Sequence, residues 1–291
     1  MQFIQTIYTI WQREIIRYWR DKTRIISTLF MPLMFLVIFG AGLSKTLATG
    51  NFGVDFVQFM YPGIIAMSVM SVAFFSTVST VWDREFGFLK EILVAPVSRV
   101  AVAFGKTLGA TTIASIQAFI LLILAPLIGV TIHFAIIPQL IIFMLLLAFA
   151  ISGMGLLISS LMKTTESFGL VMQVLIFPMF FISGAFFPLT AVPSWMKVLS
   201  YINPLTYGVD AMRQILLGNQ VAENVLRGLS LHTISVNALF LLGFSAVMVS
   251  AAVAGLSRSV RFSFASPRTP RVPPFGFFKT FKFYFGAQGG T

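Results

Sequence analysis

Six stretches of this chain are each long and apolar enough to cross a bilayer, and nothing else in it constrains the fold so strongly. They cover residues 25–44, 57–81, 107–131, 136–161, 167–189 and 232–256, and none has an Asp or Glu in its middle. A spanning helix needs about 20 mostly apolar residues. Hydrophobic residues make up 57% of the 291 and charged residues only 10%, against roughly 25% charged in a soluble domain. The expected fold is therefore an all-α integral membrane protein with six transmembrane helices. The chain has no cysteine, which excludes disulfide frameworks, thiolate metal sites and Cys nucleophiles.

Orientation follows from the basic residues. Six windows place both termini on one side. That side receives Arg13, Arg17, Arg20, Lys22 and Arg24 before the first window, and Arg84, Lys90, Arg99 and Lys106 in the second connection. Lys163 and the six basic residues of the tail complete it. The opposite side has Lys45, Lys197, Arg213 and Arg227. By the positive-inside rule both termini are expected in the cytoplasm, in a cell membrane. The net charge of +11 is thereby topological and calls for no nucleic-acid partner.

Residues 1–24 form a segment of their own. Ile4, Ile7, Tyr8, Trp11, Ile15, Tyr18 and Trp19 share one helical face and Arg13, Arg17 and Arg20 the other, the pattern of a helix lying in the cytoplasmic interface. It either anchors the first span or also touches a cytoplasmic partner. Residues 25–256 hold the spans.

The connection over 82–106 is patterned. Asp83 is expected to cap a short helix with the stripe Phe86, Leu89 and Leu93, with Arg84 and Glu91 elsewhere on its surface. Pro96 ends it by biasing Ala95 away from the helical region. Such a helix suits a groove on another protein or lies on the membrane surface.

The run Trp82-Asp83-Arg84-Glu85 through Leu89-Lys90-Glu91, then Leu93-Val94-Ala95-Pro96-Val97-Ser98-Arg99 and Gly105-Lys106, resembles the coupling segment of ABC-2 type transporter permeases. A second run, Tyr201-Ile202-Asn203-Pro204-Leu205-Thr206-Tyr207-Gly208-Val209-Asp210-Ala211-Met212-Arg213, is similar to the motif ahead of that family's last span. The resemblance covers about residues 1–258 and is nearest to the daunorubicin-resistance and nodulation-factor exporters. It implies a dimer of six-helix subunits in the membrane lipid, with a separate ABC ATPase subunit docking on Arg84, Glu85, Phe86, Leu89, Lys90, Glu91, Leu93, Pro96 and Arg99. It further implies a re-entrant hairpin, carrying Asn203, Pro204, Tyr207, Asp210 and Arg213, that caps the exit route.

Gly105-Lys106-Thr107 superficially resembles the end of a phosphate-binding Walker A loop. Its first glycine would fall at Val100, so Lys106 is expected instead to snorkel at the interface. No cofactor is expected in this chain; ATP and Mg belong to the partner ATPase, and no catalytic or metal site is expected here.

The hairpin pattern is also visible in the residues themselves. Asn203 can cap a helix with Pro204 at its first position, a stripe of Leu205, Val209, Met212 and Leu216, and Gly218 as its stop. Asp210 and Arg213 are close enough in sequence to pair. The hairpin either dips into the outer leaflet, with its backbone shielded, or is an ordinary amphipathic outer loop.

Within the spans, Gln117, Gln173 and Asn237 are the main strongly polar residues, and Gly153, Gly155, Ser159 and Ser160 form a small-residue face. Helix packing is the simplest role for them. A substrate path using Gln117, Gln173, Phe177 and Phe181, with Phe30 and Phe180 in its wall, is the alternative. From Ser257 to Thr291 the chain is basic and rich in Phe and Pro, without a helical or strand period. Disorder, adhesion to an anionic leaflet and a shifted reading frame all fit that tail.

The expected function is the permease of an ATP-powered exporter of a hydrophobic or amphiphilic substrate, drug-like, lipid or lipid-linked glycan. An ion-gradient-driven carrier is the alternative. Such carriers usually place ionisable groups inside their spans. An intramembrane hydrolase would need a nucleophile and base at depth, and the only histidines, His133 and His232, fall near predicted outer ends.

Overall fold

In the computed structural model the described residues are 2–47, 56–87, 97–128, 130, 132–218 and 223–265, and among them the regular structure is helical throughout. The helices are α1 (Gln2–Arg20), α2 (Lys22–Leu47), α3 (Phe56–Ser76), α4 (Val78–Glu85), α5 (Arg99–Leu124), α6 (Ile137–Leu161), α7 (Thr165–Ile182), α8 (Ser194–Ile202), α9 (Pro204–Leu217), α10 (Glu223–Leu229) and α11 (Ile234–Ala265). Five helical stretches among the described residues are long and apolar enough to span a membrane: Val57–Glu85, Arg99–Leu124, Phe134–Leu161, Thr165–Ile182 and Ile234–Ser257. α2 runs as one helix through the first apolar window.

α3 is apolar on every side, and such a helix belongs in an interior. Accordingly it sits against α2, α5, α6 and α9, with Tyr61, Ile65, Met70 and Phe74 fully enclosed. Tyr61 satisfies its buried hydroxyl by donating to the Leu121 carbonyl at 2.6 Å. α6 and α11 form the most extensive helix pair. Gly153 lies against Val249, and Gly255 against Ser160, so missing side chains let the two backbones approach. Gly155 meets Thr77 and Phe74 in the same way on α3 and its turn.

The second apolar window runs on farther than its hydropathy suggests. A turn at Thr77, whose hydroxyl donates to the Phe74 carbonyl at 2.7 Å, is followed directly by α4, which ends at Glu85. Asp83 therefore sits in the last turn of a helix and does not cap a new one. Likewise α5 begins at Arg99, two turns before its apolar window. The connection between α4 and α5 is thus limited to residues 86–98.

α1 packs along α5. Ile10, Glu14 and Tyr18 are its buried positions, and a Cβ on Gly105 or Gly109 would come within 2.8 Å of Ile10 or Glu14. Only part of the aromatic face read from the sequence turns inward: Trp11 donates its indole N–H to Thr112 at 3.0 Å, while Ile4, Tyr8 and Trp19 are exposed.

Candidate functional site

The two sequence motifs form two junctions, one at each end of the bundle. At the α1 end the four residues Trp82 to Glu85 reach partners on four other helices. Arg17 stacks its guanidinium over the Trp82 ring, 4.6 Å from the centroid. Asp83 Oδ2 accepts from Arg13 Nη2 and from Lys106 Nζ, both at 2.6 Å. Arg84 donates to the carbonyls of Ser160 and Met162 at the end of α6. Glu85 Oε2 accepts from the hydroxyl of Thr165 at 2.6 Å and from its backbone N–H at 3.3 Å, at the first residue of α7.

The first of these contacts belongs to a buried ion cluster. Lys106 Nζ also donates to Glu14 Oε1 and to Ser79, each at 3.3 Å, and Arg13 reaches Glu14 at 3.0 Å. Lys106 is 3% exposed, so it does not snorkel; two carboxylates hold it inside. Burial pushes the Glu14 carboxyl up, but Lys106 and Arg13 outweigh that and hold it below the ordinary carboxylate range. Removing any one partner would leave an uncompensated buried charge. The cluster joins α1, α4 and α5 at one point.

Of the residues read as coupling residues, Phe86 is 73% exposed, and Gly87, at φ +85°, turns the chain out of α4 through the left-handed region that glycine adopts readily. Arg99 is exposed at the start of α5. Leu89, Lys90, Glu91, Leu93 and Pro96 lie outside the described residues.

At the far end, Asn203 caps α9 by accepting from Leu205 N–H at 3.0 Å, with Pro204 at the first helical position and Gly218 at the stop. Its amide also donates to the Met179 carbonyl of α7 at 2.6 Å. The helix is not amphipathic at a surface: Pro204 to Leu217 is buried except at Gln214. Tyr207 donates to the Tyr201 carbonyl at 2.8 Å and stacks on Phe240, centroids 3.6 Å apart.

Asp210 and Arg213 do not pair, because each has other partners. Asp210 accepts from the N–H groups of Leu231 and His232 at 3.0 and 3.1 Å, from Asn237 at 2.9 Å and from Gln214 at 3.0 Å. It thus fixes the chain entering α11. Arg213 donates to the carbonyls of Gly184 and Ala185 at 2.7 and 3.3 Å and lies 4.0 Å above the Phe59 ring. It thus fixes the turn that leaves α7, where Gly184 has φ +77°.

Of the residues read as a substrate path, Gln173, Phe177 and Phe181 share one face of α7 and Gln117 lies apart from them on α5. Gln117 is 1% exposed and accepts from Tyr18 at 3.1 Å and Thr28 at 2.9 Å, tying α1 and α2 to α5. Gln173 and Phe177 lie on the exposed side of α7 with Phe181, and the two rings stack at 6.5 Å. Phe30 is exposed on α2 and Phe180 is buried.

Glu14 was missed by the sequence reading, and its signal was there: it is the one acid in α1, among arginines. An isolated acid in a basic, apolar helix points to a cationic partner elsewhere, and Lys106 beside Gly105 is that partner.

Helical structure throughout the described residues, five bilayer-length apolar helical stretches among them and motif residues clamping both ends of the bundle make the build of a polytopic membrane protein. The sequence pattern of the ABC-2 type transporter family matches residues 5–217, and the chain belongs to that family, whose members are membrane subunits of ABC transporters. It is similar to a Cyanophora paradoxa protein named as a transport permease, ycf38, at 32% identity over 72% of this chain and 74% of the relative. It is similar to Nodulation protein J of Rhizobium leguminosarum bv. viciae at 28% identity over 74% and 83%. The inner membrane transport permease YadH of Escherichia coli is 28% identical over 72% and 82%.

Proposed function

We propose that this chain is the transmembrane subunit of an ATP-driven exporter. Two copies enclose a path, and a separate ATPase chain, which binds the ATP and Mg, docks on the connection between α4 and α5. In this reading α2 supplies the sixth span, both termini lie in the cytoplasm of a cell membrane, α1 sits at the cytoplasmic interface, and α8 with α9 forms a re-entrant hairpin in the outer leaflet. The cargo is hydrophobic or amphiphilic, a drug-like molecule, a lipid or a lipid-linked glycan, and the exposed Gln173, Phe177 and Phe181 surface of α7 faces its route.

The observation that carries the reading is the junction at Trp82 to Glu85. The connection begins at the exposed Phe86 directly after four consecutive residues that hold α1, α5, the end of α6 and the start of α7. A force applied to that connection reaches several helices at once, as an external motor requires. An ion-driven carrier would instead place titratable groups mid-span, whereas Asp83 and Lys106 pair with each other at one end.

The test is to isolate the chain from native membranes in mild detergent and identify what accompanies it in stoichiometric amount. An ABC ATPase at about one copy per permease, with transport that needs ATP, is the expected result. Solute movement by the chain alone on an ion gradient, without ATP, would overturn the proposal.

A further inference from the structure

Of the five bilayer-length stretches, α7 is the least enclosed: 28% of its residues are buried, against 83% of the most apolar part of Val57–Glu85. Its contact with the bundle is a single stripe, Phe168, Met172, Ile176, Met179 and Phe180. Such a stripe supplies packing contact but no directional bond to the rest of the bundle. Among the described residues, the directional bonds that α7 makes to other elements are at its ends.

At the start, Thr164 caps the helix from within by accepting from Ser167 N–H, and Glu85 accepts from the N–H and hydroxyl of Thr165. A carboxylate there also meets the positive end of the helix dipole. At the other end, Ser183 N–H and Oγ both turn back to the Phe180 carbonyl. That choice leaves the Met179 carbonyl free for the Asn203 amide. Arg213 then takes the buried carbonyls of the turn that follows, Gly184 and Ala185. A turn seated this way has no slack: a Cβ on Gly63 of α3 would come 2.6 Å from Ala185.

We propose that α7 is a strut that links the two motifs mechanically, with Glu85 as the positioning residue at its start and Asn203 and Arg213 at its end. A helix of this length, about 27 Å at 1.5 Å per residue, is stiff along its axis. Displacement of the Trp82 to Glu85 turn therefore arrives at Asn203 and Arg213, and through the rest of α9 at Asp210 and the entry to α11. The exposed Gln173 face travels with it. What such a movement does for transport rests on the permease reading above; the mechanical link between the two motifs does not.

The test is amide hydrogen exchange on the full chain in lipid nanodiscs, without any ATPase, reading amides 165–168 and 183–186. Glu85→Ala is expected to speed exchange at 183–186 by about fivefold, the size of effect that losing one cap has on a local opening. Glu85→Gln, which keeps an oxygen acceptor, should restore it. Asn203→Ala should reciprocally speed 165–168. If each variant affects only its own end of α7, the strut is wrong. Acceleration of equal size in α6 and α11 would also overturn it, because the whole bundle would then have loosened.

Discussion

Lys106 Nζ lies 2.6 Å from Asp83 Oδ2, so the ammonium near the start of α5 is neutralised by the carboxylate in the last turn of α4, across the connection between them. Glu14 of α1 completes the arrangement at 3.3 Å from the same nitrogen. The contact explains why these charges tolerate burial, and it sets the first prediction. Lys106→Met leaves Asp83 and Glu14 with Arg13 and the more distant Arg17, 3.9 Å from Asp83, and should destabilise the chain by about 3–5 kcal/mol. Adding Asp83→Asn to Lys106→Met should recover part of that loss, since the two sites share one interaction. Thermal unfolding in detergent of the two single variants and the double variant measures the coupling; strictly additive losses would refute it.

The cluster also makes stability depend on pH through Glu14. Its carboxyl titrates lower in the folded chain than in the unfolded one, because Lys106 and Arg13 together outweigh burial. Between those two values the unfolded chain binds more protons, so stability rises with pH there. The contribution is complete above the ordinary carboxylate range, near pH 5 and higher, and is lost as pH falls through the lower folded value. Glu14→Gln should lower Tm at neutral pH and flatten the acid limb of a Tm-against-pH curve as pH falls through and below the ordinary carboxylate range. An acid limb of unchanged slope would show that Glu14 does not titrate within the cluster.

Much of the architecture could be read from hydropathy alone, because a bilayer admits helices and little else. The cap at Asn203, with Pro204 and Gly218 bounding α9, was readable for a similar reason: local backbone chemistry decides it. Helix ends at charged residues were not readable. Hydropathy stops at Val81 and resumes at Thr107, yet α4 continues to Glu85 and α5 starts at Arg99, because Asp83 and Lys106 cancel each other inside. The same blindness to distant partners misplaced Arg213, which sequence proximity matched to Asp210. In three dimensions Arg213 meets carbonyls 28 and 29 residues away, and no periodicity encodes that.

Two glycines should respond oppositely to the same substitution. At Gly63 a methyl group would press on the Cβ, Cα and carbonyl oxygen of Ala185, between 2.6 and 2.9 Å away, and Arg213 holds that turn from the other side. Gly63→Ala should therefore cost about 1–3 kcal/mol, as overpacking in a close-fitted site does. Gly169, inside α7, has nothing within 4 Å of the corresponding position. Gly169→Ala should stabilise by about 0.5–1 kcal/mol through helix propensity alone. Unfolding midpoints of the pair in one detergent decide both.

Asp210 presents the sharpest test of the far-end junction, because its carboxylate is asked to do something an amide cannot. Its partners among the described residues are all donors: two backbone N–H groups before α11 and the amides of Asn237 and Gln214. Asp210→Asn preserves size and shape but turns an N–H₂ toward at least one of those donors. Where the displaced donor is the Asn237 amide it stays buried, since Asn237 is fully enclosed, and an unsatisfied buried group costs about 1–3 kcal/mol. Adding Asn237→Leu removes one competing donor and should soften the loss from Asp210→Asn. That rescue is specific to a donor conflict; if Asp210→Asn proves as stable as the parent chain, the carboxylate is not what fixes the entry to α11.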